Sequence, residues 1–297
     1  MNKKFFTRFL PETVILFMKQ KQRQMKKNKI KSLPALSEEM FLDILSNNLE
    51  IKNGDMVFIH SSINNLNLEF PFYRILRLLQ DTVGKEGTIL FPTYSKPLSY
   101  EFLLKGEVFD VRKTPSYTGI ISECARKQKN AKRSLHPTKS VCAIGKHAED
   151  IVSTHQYSPY PYDSCSPYYK IMKYNCKIIG LGVATNILSF VHCIDDYMKD
   201  DFVIDPYHDQ IFHATVINYN GDTEIVKTFA HNIEMMNHNI PRYMKTYIPR
   251  DICSDIMVHG MKFYRANSYE LFNQMLELAK KNITIYPKKL YKNGRTT

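Results

Sequence analysis

Short strand-like segments alternate with helix-like segments through the first 200 residues, and this alternation constrains the fold more than any other feature. Each strand-like segment is a brief run of β-branched, aliphatic and aromatic residues. The four segments are MVFIH (56–60), TILFPTY (88–94), SVCAIG (140–145) and CKIIGLGV (176–183). Continuous apolar runs are typical of strands that are covered on both faces. The pattern therefore predicts a layered α/β/α domain with a central mixed sheet.

Capping residues and apolar spacing predict the helices between these strands. Ser37 precedes two glutamates and an apolar set at helical spacing, so a capped helix is predicted over 37–49. Further helices are predicted over about 71–83, 119–128, 147–155, 187–198 and 269–281. After residue 200 the pattern changes, because FHATVINYN and TEIVKTF flank Gly221-Asp222. This arrangement predicts an antiparallel hairpin within an irregular C-terminal lobe.

The positive charge of the chain is concentrated at its N-terminal end. The 297 residues carry a formal net charge of +12, and residues 1–32 hold +9 of it through ten Lys and Arg and one Glu. The other 265 residues carry +3 and are nearly neutral. We therefore predict two parts, a basic amphipathic arm over 1–36 and a single domain over 37–297.

The arm has two open interpretations. Over residues 3–31, apolar clusters precede the basic run KQKQRQMKKNKIK. Such a segment suits a helix that lies at an anionic membrane surface, where each basic residue adds ~1 kcal/mol, and it equally suits a solubilising, partly disordered arm. Nucleic-acid binding is not predicted, because no aromatic or base-reading partners accompany the basic run.

The cysteines and the missing leader pattern bear on compartment. Pro11 and Glu12 interrupt the apolar stretch, so the continuous core of a signal peptide is missing. Six irregularly spaced cysteines without a CxxC pair predict buried thiols in a reducing compartment, and they support no metal site. We expect a cytoplasmic protein, with the arm at the inner face of the membrane if it binds lipid.

The richest segment for chemistry follows the strand 176–183. In open α/β sheets, ligands collect at the carboxyl ends of the strands. Ser189, His192 and Asp195 stand at i, i+3 and i+6 on the predicted helix, and therefore share one face. A hydroxyl, an imidazole and a carboxylate in line are the groups that acyl transfer uses. The same spacing also occurs on ordinary amphipathic helices, and Asp196 is an equal candidate for the carboxylate.

Two further polar segments lie beside strands. HSS (60–62) ends the first strand, where hydroxyls and backbone N–H groups can bind phosphate or a pantetheine amide. RSLHP (133–137) precedes the third strand, where Arg133 can meet a phosphate bidentately. Taken singly, HSS is more typical of a polar turn, and RSLHP is more typical of a solvated basic loop.

In series, these segments resemble the aminoglycoside 3-N-acetyltransferase family. The resemblance spans about residues 37–200, with a weaker trace to the end. It rests on GDMVFIHSSINNL, VGKEGTILFPTYS, TPSYTGIISECARK, KRSLHPTKSVCAIGKHAEDI, SPYYKIMKYNCKIIGLGV and the set Ser189, His192 and Asp195. The resemblance implies an acetyl-CoA-dependent α/β acetyltransferase that moves the acetyl group directly onto a sugar amine without a metal.

The resemblance also implies roles for individual residues. The catalytic base of the family falls on His192, and the hydroxyl three residues before it falls on Ser189. The family's Glu three residues after the base is Asp195 here, and Glu234 is the nearest match to a second carboxylate. The residues implied to face the coenzyme are His60, Ser61, Ser62, Thr118, Gly119, Ser134 and His136.

Two acceptor classes follow from the resemblance. A polycationic aminoglycoside favours a pocket with surplus carboxylates, whereas the predicted domain carries +3. Similar enzymes acetylate amino sugars on nucleotide or lipid-diphosphate carriers for surface polysaccharides, and such anionic acceptors suit a basic arm. We therefore predict a polysaccharide amino sugar as acceptor. Aminoglycoside resistance is the alternative, and an inactive membrane-tethered binding protein is the second alternative. The sequence sets no oligomeric state.

Overall fold

The computed structural model describes residues 12–96 and 98–292 of the chain. The strands of this part are β1 (Met56–Ser61), β2 (Thr88–Pro92), β3 (Phe109–Asp110), β4 (Lys132–Arg133), β5 (Val141–Gly145), β6 (Lys177–Leu181), β7 (Phe212–Ile217), β8 (Thr223–Thr228), β9 (Cys253–Val258) and β10 (Met261–Asn267). The helices are α1 (Glu12–Lys31), α2 (Glu38–Asp43), α3 (Arg74–Val83), α4 (Ser99–Leu104), α5 (Ile120–Arg126), α6 (Ala148–Val152), α7 (Pro167–Lys170), α8 (Cys193–Met198), α9 (Ile240–Tyr247) and α10 (Ser268–Ala279).

The central sheet is mixed, as predicted. Its seven strands have the order β4-β5-β2-β1-β6-β10-β9. The inner strands β2, β1 and β6 are parallel, and the strands on either side of them pair antiparallel. A second sheet has the order β3-β7-β8. Within it β7 and β8 form the predicted antiparallel hairpin.

Alternate residues of the central strands pack on opposite faces of the sheet. On β1, Met56 and Phe58 join an apolar cluster that includes residues of α6 to α10. Val57 and Ile59 join the other cluster, which includes residues of α2, α3 and α5. Both faces are therefore covered by helices, which explains why the strands read as continuous apolar runs. The predicted α/β/α layering is confirmed.

Two stretches differ from the sequence predictions. The helix predicted over 187–198 is broken, and consists of a 3-10 turn (Ser189–His192) followed by α8. The sequence analysis assigned no strand to residues 253–267, which form β9 and β10 at one side of the central sheet. In β9, buried or half-buried positions alternate with exposed ones, so this edge strand lacks the apolar run that marks the inner strands.

The start of the chain is only partly described. Residues 1–11, which include Lys3, Lys4 and Arg8 of the predicted arm, lie outside the described residues. Helix α1 is exposed along almost its whole length, Leu36 after it is fully buried, and the Ser37 hydroxyl caps α2 as predicted. Within residues 12–96 and 98–292, no helix combines the length and apolarity needed to cross a bilayer.

Candidate active site

Polar side chains meet where β1 and β6 end. The strand register places Gly180 of β6 opposite His60 on one side and opposite Tyr264 of β10 on the other. A Cβ atom on Gly180 would lie 2.1 Å from Cδ1 of the Tyr264 ring, so only glycine leaves room for that ring. The Tyr264 hydroxyl therefore reaches across β6 and lies 2.7 Å from Nδ1 of His60.

His60 connects Tyr264 to Ser189, whose Oγ lies 3.3 Å from Nε2 of His60. Burial lowers the pKa of His60 to about 3 and raises the pKa of Tyr264, so both side chains are neutral. Because the Tyr264 hydroxyl donates to Nδ1, we assign the single ring proton of His60 to Nε2, which donates to Ser189. The Ser189 hydroxyl also hydrogen-bonds to the Tyr94 hydroxyl, which lines the same cleft and can accept the Ser189 proton.

His192 is held by a carboxylate and a phenol. Its Nδ1 lies 2.9 Å from Oδ2 of Asp195, and the Tyr286 hydroxyl donates to the same oxygen at 2.6 Å. The carboxylate keeps the ring proton on Nδ1, so Nε2 presents a lone pair. No residue in the described part of the chain hydrogen-bonds to Nε2. A general base of acyl transfer has this arrangement.

The structure distinguishes the two neighbouring aspartates that the sequence left open. Asp196 points away from His192, accepts the backbone N–H of Tyr162 at 2.7 Å and accepts the Tyr207 hydroxyl at 2.5 Å. Its burial raises the pKa of the carboxyl group well above the usual value. Asp195, although shorter than glutamate, is therefore the carboxylate that contacts the histidine.

A cleft of about 710 Å³ opens at the carboxyl ends of β1 and β2. Its lining includes the predicted residues His60, Ser61, Ser62, Thr118, Gly119 and Ser189. At Gly119 the backbone has a φ of +119°, which favours glycine, and a Cβ there would lie 3.4 Å from the Ser61 carbonyl oxygen. The cleft thus combines hydroxyl groups with a close approach of two loops.

The predicted coenzyme contacts in the RSLHP segment do not reach this cleft. Ser134 and His136 are fully buried. The Ser134 hydroxyl lies 2.8 Å from Nδ1 of His155, and His136 accepts a backbone N–H at 3.0 Å. The Arg133 guanidinium donates to the Thr93 carbonyl at 2.5 Å. These side chains form internal hydrogen bonds within the fold, and their contact with the coenzyme stays a prediction.

Two more cavities adjoin His192. His231, whose ring centroid is 5.0 Å from that of His192, lines one of about 530 Å³. His238, at 5.6 Å, lines another of about 720 Å³ together with Tyr286. Glu234 lies exposed in the lining of the smaller cavity, and no contact with His192 is found for it among the described residues.

Sequence reasoning missed His231, His238, Tyr264 and Tyr286. The two histidines stand seven positions apart in the segment HNIEMMNH, which was the one available signal for them. The tyrosines carry no such signal, because Tyr286 lies 91 positions from Asp195 and Tyr264 lies 204 positions from His60. Only the folded sheet brings these groups together.

The chain matches known proteins in sequence and in fold. A sequence model of the family described as Aminoglycoside 3-N-acetyltransferase matches residues 58–278. Aminoglycoside N(3)-acetyltransferase III of Salmonella sp is 24% identical over 158 residues, which cover 48% of this chain and 55% of that protein. The chain spans about half the length of the curated relatives that it matches.

Two solved structures share the fold. AAC-IIIb, in a binary complex with CoASH, has a TM-score of 0.68 at 16% identity, covering 84% of this chain and 98% of that one. AAC-VIa bound to sisomicin has a TM-score of 0.69 at 20% identity, covering 84% and 99%. At such identities the likeness concerns the fold alone. The match over residues 58–278 shows that the chain belongs to the aminoglycoside 3-N-acetyltransferase family.

Proposed function

We propose that the protein transfers the acetyl group of acetyl-CoA directly to an amine of an amino sugar. One observation carries this proposal: Asp195 and Tyr286 hold His192 by Nδ1, which leaves Nε2 free to accept a proton. Ser189, on the same 3-10 turn, lines one cleft, and His231 beside His192 lines another. The site therefore offers separate spaces for two substrates, one lined by Ser189 and one lined by His231.

The cleft at the ends of β1 and β2 suits the coenzyme. Pantetheine is an extended chain of amides and methylenes, and the cleft offers both polar and apolar walls. The hydroxyls of Ser61, Ser62 and Thr118 suit the amides, while Phe72 and Ile187 suit the methylenes. CoASH is bound to a structural relative of this fold. When bound, acetyl-CoA supplies the acetyl group as a reactive thioester.

The chain's own groups have three tasks in the transfer. Nε2 of His192 accepts a proton from the acceptor amine as the amine attacks, and Asp195 stabilises the imidazolium that forms. The Ser189 hydroxyl, which lines the cleft, donates to the oxygen on which negative charge develops. A positioned base contributes ~10²–10⁴-fold to the rate.

The comparisons favour the aminoglycoside alternative over the polysaccharide prediction. The curated relatives are aminoglycoside acetyltransferases by name, and sisomicin is bound to a structural relative. A polysaccharide role finds no such support among them. We therefore include aminoglycosides among the acceptors to be tested, with the amine of an amino sugar as the reacting group.

Release of free thiol from acetyl-CoA tests the proposal. The purified protein is mixed with acetyl-CoA and, separately, with sisomicin, gentamicin or glucosamine. We expect amine-dependent thiol release with at least one of them, and acetylated amine in the product by mass spectrometry. A folded protein that releases no thiol with any amine would contradict the proposal, and would favour the inactive binding protein.

We also propose that the arm contacts an anionic membrane surface, which would bring an otherwise cytoplasmic protein to the inner leaflet. Helix α1 begins with exposed apolar residues such as Leu16 and Phe17, and its second half carries the basic run. Flotation with phosphatidylglycerol vesicles should fall when Lys26, Lys27 and Lys29 are changed to Gln. Equal flotation of both proteins would rule out an electrostatic contact.

A further inference from the structure

Lys139 is a cation that the proposed transfer does not use. It lies in the loop between β4 and β5, where its backbone N–H donates to Nδ1 of His136 at 3.0 Å. Its ammonium nitrogen lies 4.7 Å from the centroid of the Tyr94 ring. Burial is the one cause that lowers the pKa of Lys139, to about 8, and no carboxylate of the described residues offsets it. A half-buried ammonium without a counter-ion is costly, which calls for an anion from outside the chain.

His231 faces the same cavity with its hydrogen-bonding capacity unused. Its side chain is 8% exposed, and neither ring nitrogen has a hydrogen-bond partner among the described residues. Burial lowers the pKa of His231, so the ring is neutral and carries one N–H donor. Buried polar groups are almost always satisfied, so an unpartnered imidazole beside an unpaired ammonium indicates a ligand that accepts from both.

The cavity that Lys139 and His231 line also has two acidic residues in its lining. Glu101 and Glu234 line it as exposed residues, while Lys139 is half-buried and His231 is buried. Neither glutamate forms an ion pair with Lys139 within the described part of the chain. The cavity therefore holds its cation deep and its carboxylates near solvent. That order suits an acceptor with an acidic group at the inner end and amines or hydroxyls toward the opening.

We propose that Lys139 and His231 bind an acidic group of the acceptor, either a carboxylate or a phosphate, so that the enzyme prefers amino sugars that carry an acid. The proposal rests on the proposed transfer and concerns its substrate class. His231 lies against His192, with ring centroids 5.0 Å apart, so the acid would lie on the same small molecule as the reacting amine. A polycationic aminoglycoside would place an ammonium near Lys139 and be a poorer acceptor.

Matched acceptors test this preference. Glucosamine has a free amine and no acid, glucosamine 6-phosphate adds a phosphate, and muramic acid adds a carboxylate. Thiol release from acetyl-CoA yields kcat/KM for each of them and for sisomicin. We expect at least one acidic sugar to exceed glucosamine by about 10-fold to 100-fold, the range of a charge-assisted hydrogen bond. The phosphate and carboxylate arms show which acid the site takes.

Substitution of Lys139 then tests whether this side chain causes the preference for acidic acceptors. In Lys139→Met the ratio of acidic to neutral acceptor should fall to near one, whereas Lys139→Arg should keep part of it. Lys146→Met is the matched control, because Lys146 is paired with Glu86 at 2.6 Å on the surface, and its ratio should not change. Calorimetric binding of the preferred acidic sugar without acetyl-CoA should weaken by a similar factor in Lys139→Met.

The outcomes separate the two proposals. Thiol release with glucosamine or sisomicin, with no gain for either acid, would overturn the acidic acceptor and keep the transfer. An acid preference that persists unchanged in Lys139→Met would also overturn it. Binding of the acidic sugar that depends on Lys139, without thiol release from any amine, would support the anion site and contradict the transfer.

Discussion

Two polar segments beside strands of one sheet lie in different environments in the folded protein. HSS (60–62) ends β1 and lines a cleft, whereas RSLHP (133–137) begins at β4 and folds into the interior. Both segments hold a histidine and a serine, and both histidines are buried neutral rings. His60 hydrogen-bonds to Ser189, which lines the cleft. His136 hydrogen-bonds to a backbone N–H of its own loop and to the Thr228 hydroxyl.

A polar side chain therefore belongs to a binding site or to the buried framework according to its hydrogen-bond partner, not according to its residue type. In the cleft, the hydrogen bonds of Tyr264 and His60 lead to Ser189, whose hydroxyl lines the cavity beside Tyr94. In the loop, the bonds of Ser134 and His136 end on other protein atoms. Changes to the first set should alter turnover, and changes to the second should alter the free energy of unfolding.

Substitution of His192, the proposed base, should have the largest effect on turnover. His192→Gln removes the proton acceptor, so kcat should fall by ~10²–10⁴-fold. The thermal unfolding midpoint should stay close to that of the unchanged protein, since glutamine fills much of the same space. Thiol release and calorimetry measure the two quantities. Full turnover in His192→Gln would exclude this histidine as the base.

The next effect is in the buried loop. Arg133→Met leaves the Thr114 carbonyl without its donor and the Thr93 carbonyl with the Ser140 hydroxyl alone, so the free energy of unfolding should fall by about 2–4 kcal/mol. Urea unfolding measures this loss. Arg77→Met is the control, because Arg77 is exposed and its ion pair with Asp81 should matter by less than about 1 kcal/mol. Equal losses in both variants would contradict a structural role for Arg133.

Acid should destabilise the loop through His155. Burial lowers the pKa of His155 to about 3, against about 6.5 when unfolded, so the unfolded chain binds more protons between these values. Its contribution is complete above pH 6.5 and is lost as pH falls toward 3. Between pH 7 and pH 5, protonation of His155 in the unfolded chain should lower the free energy of unfolding by about 2 kcal/mol. His155→Gln should lose less stability over that interval, and an unchanged slope would refute the assignment.

The smallest effects come from deleting one hydroxyl in each segment's network. Ser189→Ala should lower kcat by about 10-fold, equal to about 1.4 kcal/mol, with little change in stability. Ser134→Ala removes a bond to His155 and should lower the free energy of unfolding by about 1 kcal/mol, with kcat unchanged. If the two variants exchanged these effects, the division between cleft and loop would be wrong.

Local patterns predicted the parts of the fold that depend on neighbouring residues. The inner strands, the Ser37 cap and the β7–β8 hairpin follow from apolar runs, capping and turn residues. The pairing of His192 with Asp195 also spans three positions, so sequence spacing could reach it. The change from a 3-10 turn over Ser189–His192 to α8 could not be foreseen, because both stretches have ordinary helical spacing.

The layered α/β class, the family resemblance and the identity of the groups that could do acyl transfer all follow from the order of residues along the chain. Tertiary structure alone decided which of those groups face a cavity. It placed Tyr264 on His60 across a glycine, set Tyr286 on Asp195, and folded Ser134 and His136 inward. The physical reason is that apolar periodicity is a local property of the chain. Burial, proton position and unpaired charge depend instead on contacts between residues far apart in sequence.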